Sequence, residues 1–235
     1  MVGAGAAVEV IWVAECASLH KGDIGLAYKM LLACAESGAT IAKFQLGHAQ
    51  VGSAKAHIRY APMEWAPQLA EWCDDLGIEF MASIWTMEAL KLARDVGMKR
   101  YKIAHQMALS KEPKDSRLVE AILADEKETF ISAPPPRLHR FRMKHARWLH
   151  CQGEYPLYPE HLKMPVAFRK QGFYGYSSHM HGAADAYMAV SRGARLVEKH
   201  VTLDYELVTR DASFALSFQE FGEMVRIGNS IARIA

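Results

Sequence analysis

The stretch FYGYSSHMHGAADAYMAVSRGARLVEKH, residues 173–200, decides how the chain is read. Phe173–His179 and Ala194–His200 each have the pattern of a buried strand that finishes in polar residues and a histidine. The Ala-rich segment Gly182–Arg192 between them predicts a helix. Parallel strands joined by a helix and adjacent in a sheet bring their C-terminal ends to one side. Both imidazoles then face a single pocket, at about the separation one divalent cation bridges. A lone histidine would favour a satisfied core residue; the pair on neighbouring strands favours a metal.

Outward from this unit the same alternation continues to both ends. Val8–Glu15 is a continuous apolar run, as in a strand buried on both faces. Strands are expected at Thr40–Leu46, Ile78–Ser83, Arg100–His105, Glu128–Ser132 and Arg147–Cys151. Helices are expected at Ile24–Ser37, Met63–Leu76, Thr86–Val96, Asp115–Ala124, Pro159–Lys170 and Ser217–Ile234. Met87 and Met98 read as core filler. Gly38, Gly77, Gly97 and Gly193 each follow a helix, where a left-handed residue turns the chain back toward the sheet. Eight strand–helix units in 235 residues match a minimal TIM barrel. A doubly wound open sheet would alternate too, but no G-x-G-x-x-G follows the first strand. The expectation is α/β, a single (β/α)8 TIM barrel over residues 1–235.

Composition narrows the function classes. Hydrophobic residues make up 51% and charged residues 23%, an ordinary globular balance, and a formal charge of +2 argues against nucleic acid or an anionic membrane as partner. The basic run Arg137–Arg147, preceded by Pro134–Pro136, reads as a solvated surface, with a phosphate-handling or partner-binding patch as the alternative. Four scattered cysteines with no C-x-x-C pair oppose a structural zinc site and a disulfide framework, which fits a reducing cytoplasm. Val2–Ala14 lacks a basic flank and runs into Glu15, so it reads as a strand rather than a signal peptide. No stretch approaches the roughly 18 apolar residues of a membrane span.

In TIM barrels the chemistry sits at the C-terminal strand ends. Here those ends carry Glu15, Lys43, Gln45, Ser83, Lys102, His105, Ser132, His150, Gln152, Ser177, His179, Glu198 and His200. An unpaired buried polar group costs about 1–3 kcal/mol, so this many cannot be packing alone. A single strand-end lysine is commonly a salt-bridge partner. Lys43 and Lys102 close different strands and point into one mouth, where their repulsion calls for an anion between them. Glu15 could simply neutralise Lys43. Ser132 and Ser177 matter as hydroxyl donors to a phosphate or carboxylate.

The segments AECASLHKGD (14–23), AKFQ (42–45), YKIA (101–104), LHCQGEYPLYP (149–159), GYSSH (175–179), VEKHVTLD (197–204) and RDASFALSFQEFGEMV (210–225) resemble the sialic acid synthase family, the N-acetylneuraminate synthases. Members are metal-dependent barrels that condense phosphoenolpyruvate with an N-acylated amino sugar. The resemblance implies that His179 and His200 hold Mn²⁺ or Mg²⁺, and that Lys43, Lys102, Ser132 and Ser177 grip phosphoenolpyruvate, with Gln45 beside them and Ser83 where the family uses Thr. It implies that Glu15, Tyr155 and Asp211, together with Lys102, stand near the sugar or the reacting carbons, and that the product is a nonulosonic acid.

Several positions depart from the family pattern. Leu19 replaces an Asn before His20, and His105, Gln106 and Met107 stand where the family shows S-G-E. Ser132-Ala133-Pro134-Pro135 stands for S-T-G-M, Ser177-Ser178-His179 for S-D-H, and Val208-Thr209-Arg210-Asp211 for P-G-P-D. Gly153 replaces an Asn at the sixth strand end. Most lie on the sugar side. Family members also carry a C-terminal antifreeze-like domain that reaches over the sugar site of a dimer partner. The chain is expected to lack it, consistent with a separate lid protein; a barrel-mediated homodimer remains compatible. The alternatives are a phosphoenolpyruvate-binding barrel with another acceptor or reaction, and a non-catalytic homologue acting as a subunit.

Overall fold

A computed structural model of the chain describes residues 9–46, 61–134, 143–203 and 211–235. The start of the expected first strand through Val8, basic residues 137–142, and Val208, Thr209 and Arg210 lie outside the described residues. Eight strands run in parallel: β1 (Ile11–Ala17), β2 (Ile41–Leu46), β3 (Glu79–Ile84), β4 (Tyr101–Ile103), β5 (Thr129–Ala133), β6 (Ala146–His150), β7 (Gly175–Ser177) and β8 (Leu196–Thr202). Each pairs with the next, and β8 pairs back onto β1, so the sheet closes as a (β/α)8 barrel. A short ninth strand, β9 (Leu216–Ser217), adds to the end of β8.

Among the described residues the helices are α1 (Ile24–Glu36), α2 (Ala66–Asp75), α3 (Met87–Asp95), α4 (His105–Leu109), α5 (Pro113–Ala124), α6 (Ala184–Ser191) and α7 (Phe218–Ala232). Side chains set their starts: Asp23 accepts from Leu26 N, Thr86 accepts from Ala89 N, and Ser217 with Glu220 forms a capping box. The expected glycines set their ends, with φ of 77° at Gly38, 71° at Gly77, 67° at Gly97 and 88° at Gly193. Met98 is buried as expected, whereas Met87 opens α3 and is 51% exposed.

The predicted helix over Pro159–Lys170 is absent. Only a 3-10 turn, Pro159–His161, forms before irregular chain leads to β7. Pro165 disfavours helix at Met164 and supplies no N–H, so the second half of the segment cannot continue a helix begun at Pro159. Strand four is also shorter than expected, and His105 opens α4 instead of closing β4.

The barrel wall separates two apolar clusters. Trp12, Phe44, Tyr101, Phe168 and Phe221 belong to the larger one, between sheet and helices. Val13, Ile41, Met81, Phe130, Leu149 and Leu196 form the inner plug. Strand side chains return to the same face every second residue. Two positions beyond the plug therefore come Glu15, Lys43, Ser83, Ser132, Cys151 and Glu198, joined by Lys102 from β4 and Ser177 from β7. The plug is thus the floor of a polar layer with one residue from each strand. At the opposite end, Arg100 bonds Glu79 at 3.2 Å and Glu128 at 2.9 Å, and Arg147 bonds Glu128 at 3.0 Å while lying over the Tyr174 ring. Arg147, the described end of the basic run, is therefore a barrel-end ion-pair residue. Among the described residues, no helix is long and apolar enough to cross a membrane.

Candidate active site

All eight residues of the polar layer are buried, none more than 4% exposed. They line one cavity of about 680 Å³, counting its open end, with Gln45, Trp85, Ala104, His105, Gln106, Tyr155, His179 and His200 above them. Lys43 Nζ donates to Ser83 Oγ at 3.2 Å, and Lys102 Nζ donates to Ser132 Oγ at 2.8 Å. Both serines accept from a lysine and so keep a hydroxyl proton to offer an anion. Ser177 donates to Glu198 Oε1 at 2.8 Å.

The two lysines converge as expected, but the anion between them belongs to the protein. Glu198 Oε1 lies 3.7 Å from Lys43 Nζ and 3.7 Å from Lys102 Nζ. Glu15 also contacts Lys43 Nζ through Oε2, while its Oε1 accepts from Ala17 N at 2.8 Å. Two ammonium groups thus face two carboxylates, and the layer is neutral as built. The repulsion between the two lysines is met by Glu198 and Glu15 and does not by itself demand a ligand. Burial pushes the Lys43 ammonium down to about 8, an effect that Glu198 partly offsets and Lys102 deepens. Burial alone would raise the Glu198 carboxyl, but Lys102, Lys43 and the Ser177 hydroxyl outweigh it and hold it below the usual carboxylate range. Glu198 Oε2 is buried with no hydrogen-bond partner.

His179 and His200 do converge, with ring centroids 5.8 Å apart and planes at 61°. Phe214 packs edge-on to both, at 5.7 and 4.8 Å, and Tyr155 stacks on His179 at 3.8 Å. Burial lowers His179 to about 3 and holds His200 well below its ordinary value, with His179 and Lys43 adding to the latter. Both rings are therefore neutral. His179 Nδ1 lies 2.8 Å from the Gln152 carbonyl, which fixes its proton there and leaves Nε2 as a lone-pair donor. His200 Nδ1 is buried with no hydrogen-bond partner. Such a pair suits a divalent cation, although no third His, Cys, Asp or Glu completes a cluster with it among the described residues.

Two strand-end assignments need correction. His150 and Gln152 do not enter the mouth. His150 lies on the outer face, stacked on Tyr176 at 5.9 Å and edge-on to Phe173 at 5.3 Å. Gln152 braces the following loop, donating to His161 O at 2.9 Å and accepting from Lys163 N at 2.7 Å. Cys151, between them, takes the inward position, and burial raises its thiol to about 11. His105 does reach the cavity, from the start of α4. Asp211 stands outside the lining, just before the 3-10 turn Ala212–Phe214, yet its carboxylate acts on the Lys43 ammonium. The scattered cysteines also meet: Cys16 and Cys34 Sγ lie 3.7 Å apart in the outer core.

Two sequence departures interlock at the mouth. A Cβ on Gly153 would sit 2.7 Å from His105 Cε1, so the imidazole fills space that a side chain at 153 would take. Met107, at the position of the family's acid, is 6% exposed and packs into the outer core.

Fold and site together define a class, the TIM-barrel enzymes whose C-terminal mouth sets ammonium and hydroxyl groups beside paired imidazoles. Residues 54–234 match the NeuB family model, and the chain belongs to that family. It is 24% identical to the N-acetylneuraminate-9-phosphate synthase of Homo sapiens, over 91% of this chain and 68% of that protein. It is 27% identical to a pseudaminic acid synthase of Campylobacter jejuni, over 92% of this chain and 72% of that protein. In fold it superposes on the sialic acid synthetase of Leptospira borgpetersenii, crystallised with citrate, with a TM-score of 0.82 at 24% identity, over 96% of this chain and 85% of that one.

Proposed function

We propose that this barrel is a nonulosonic acid synthase that condenses phosphoenolpyruvate with an aldose of the N-acylated amino sugar class, releasing phosphate, with a divalent cation at His179 and His200. The observation that carries the reading is the polar layer itself: two lysines and three serines, one per strand, buried over an apolar plug and open to one cavity. Family membership and relatives named as sialic, pseudaminic and N,N'-diacetyllegionaminic acid synthases support the substrate class.

The reaction asks four things of the chain. Phosphate and carboxylate must be held; Lys43 and Lys102, with the Ser83 and Ser132 hydroxyls, offer preorganised donors, while Ser177 holds Glu198 in place. C3 of the enolpyruvate bonds to the aldehyde carbon, whose oxygen takes a proton. Water adds at C2, and the bond from C2 to the phosphate ester oxygen breaks, so inorganic phosphate leaves and a 2-keto acid remains. Glu15 Oε2, against Lys43 Nζ, is the assigned atom for holding and passing a proton, and Tyr155 borders the acceptor end. His179 and His200 would hold a Mn²⁺ or Mg²⁺ ion, which would supply Lewis acidity to the reaction. A soluble cytoplasmic enzyme and a barrel-mediated homodimer belong to the same proposal.

The Met107, His105 and Gly153 departures favour a second reading, in which the enolpyruvate half is retained and the acceptor differs. One assay separates the outcomes. With Mn²⁺ and phosphoenolpyruvate, phosphate release is measured against a panel of aldehydes, and the product is weighed. Release with an N-acylated hexosamine and a product three carbons longer supports the proposal; release only with other aldehydes supports the second reading. No phosphate from any aldehyde rejects both.

A further inference from the structure

Along β8 the side chains alternate, so Glu198 and His200 face the cavity while Lys199 between them faces outward. Lys199 is completely buried, an unusual place for an ammonium group. Its Nζ donates to the Met180 carbonyl at 2.5 Å and to Ser178 Oγ at 2.9 Å, and lies 3.5 Å from Asp185 Oδ1. Ser178 and Met180 are the two chain neighbours of His179. The network closes on itself: Ser178 Oγ donates to Asp185 Oδ2 at 2.5 Å, Tyr176 Oη donates to the same oxygen at 2.9 Å, and Ser178 Oγ accepts from Met180 N at 3.2 Å. On the far side of the loop, the His179 carbonyl accepts from Leu157 N at 2.9 Å.

We propose that Lys199 is the positioning residue for His179, a buried clamp that ties the β7–α6 loop to β8 and so fixes the distance between the two inward imidazoles. Three facts argue for this over a generic core ion pair. The ammonium reaches the backbone on one side of His179 and the side chain on the other. It stems from the residue adjoining His200, so one peptide segment sets both rings. The carboxylate partner, Asp185, sits in the first turn of α6, which anchors the clamp to a helix rather than to the loop itself. An aligned donor pair is what cation affinity depends on, and outer partners that orient ligands are commonly worth about 10–100-fold in metal affinity. The clamp stands on contacts alone; its consequence for a cation rests on the metal reading proposed above.

The test uses Lys199→Met and the charge-neutral pair Lys199→Met with Asp185→Asn, which leaves no carboxylate stranded in the core. Hydrogen exchange of the metal-free protein is the first readout. The Met180 and Leu157 amides are expected to exchange at least tenfold faster in both variants, while amides of β2 and β4 stay within threefold of the unsubstituted protein. The second readout is a split in affinity: Mn²⁺ binding falls at least tenfold, and phosphoenolpyruvate binding in chelator stays within threefold. Unchanged Met180 and Leu157 exchange overturns the proposal. So does a uniform rise over the barrel, which marks Lys199 as a general stability residue, or protection restored in the paired variant, which assigns the effect to a stranded Asp185. If the unsubstituted protein binds no Mn²⁺, the metal reading fails and the exchange data still decide the clamp.

Discussion

At the scale of single residues, the site is governed by how one buried ammonium shares its proton. Lys43 is placed among Glu15, Ser83 and Glu198, and burial brings it to about 8, against 10.5 for a free lysine. Above pH 8 the unliganded barrel loses that charge, and with it, under the proposed function, much of its attraction for a doubly charged ester. The affinity for phosphoenolpyruvate is therefore expected to fall as pH rises through about 8, the bound anion itself favouring the protonated amine. Glu198→Gln supplies the control. Glu198 raises the Lys43 ammonium, so its neutral isostere should move the midpoint to lower pH. Calorimetric titration of phosphoenolpyruvate between pH 6.5 and 9.5 reads both effects; an affinity flat across pH 8 would assign the anion to Lys102 alone.

At the scale of elements, the inward or outward choice of each strand is a matter of one residue, because the pleat repeats every two. That choice was legible for β1, β2, β3, β5 and β8, where an apolar residue precedes a polar one by two positions. It was not legible for β6. His150 and Gln152 are polar and Cys151 is not, so composition points the wrong pair inward, whereas Leu149 in the plug and Gly175 in β7 settle the register. A Cβ at Gly175 would collide with the Leu196 carbonyl oxygen, so β7 can approach β8 only through glycine. Glu198 between the lysines was hidden for another reason, that it depends on barrel closure, and the Cys16–Cys34 contact because it depends on how α1 packs against β1. The α4 start was hidden as well, and it governs the mouth. His105, from the start of α4, and Gly153, from the loop after β6, share one space, 2.7 Å between Cε1 and the absent Cβ. Gly153→Ala should displace the imidazole and lower kcat/KM for the acceptor aldehyde at least tenfold, while KM for phosphoenolpyruvate stays within threefold. Steady-state kinetics with each substrate varied would check this; equal losses for both would show instead that the whole mouth had collapsed.

At the scale of the whole molecule, the barrel keeps several histidines neutral in its interior. Burial lowers His20 and His150 to about 4 and His179 to about 3, against an ordinary 6.5, and His200 moves the same way. The unfolded chain takes up protons on these rings below pH 6.5 and the folded barrel does not. Stability tied to them is therefore complete above 6.5 and is lost as pH falls toward each folded value. A pKa lowered by one is worth about 1.4 kcal/mol, so several such rings together make the barrel acid-sensitive over pH 6.5–4. His179 and His200 cannot isolate the effect, since their substitution also alters the mouth. His150 can: it stands on the outer face among Phe168, Phe173 and Tyr176, where burial outweighs the Lys163 backbone and the Gln152 side chain, which favour its charged form. His150→Phe keeps that packing type and removes the titration. Urea midpoints at pH 7.5 and 4.5 should then differ less for the variant than for the unsubstituted protein, by on the order of 2 kcal/mol after conversion through the m-value. Equal pH dependence in the two proteins would mean that His150 is already protonated in the folded barrel, and that carboxylates such as Glu198 and Asp125 carry the acid sensitivity instead.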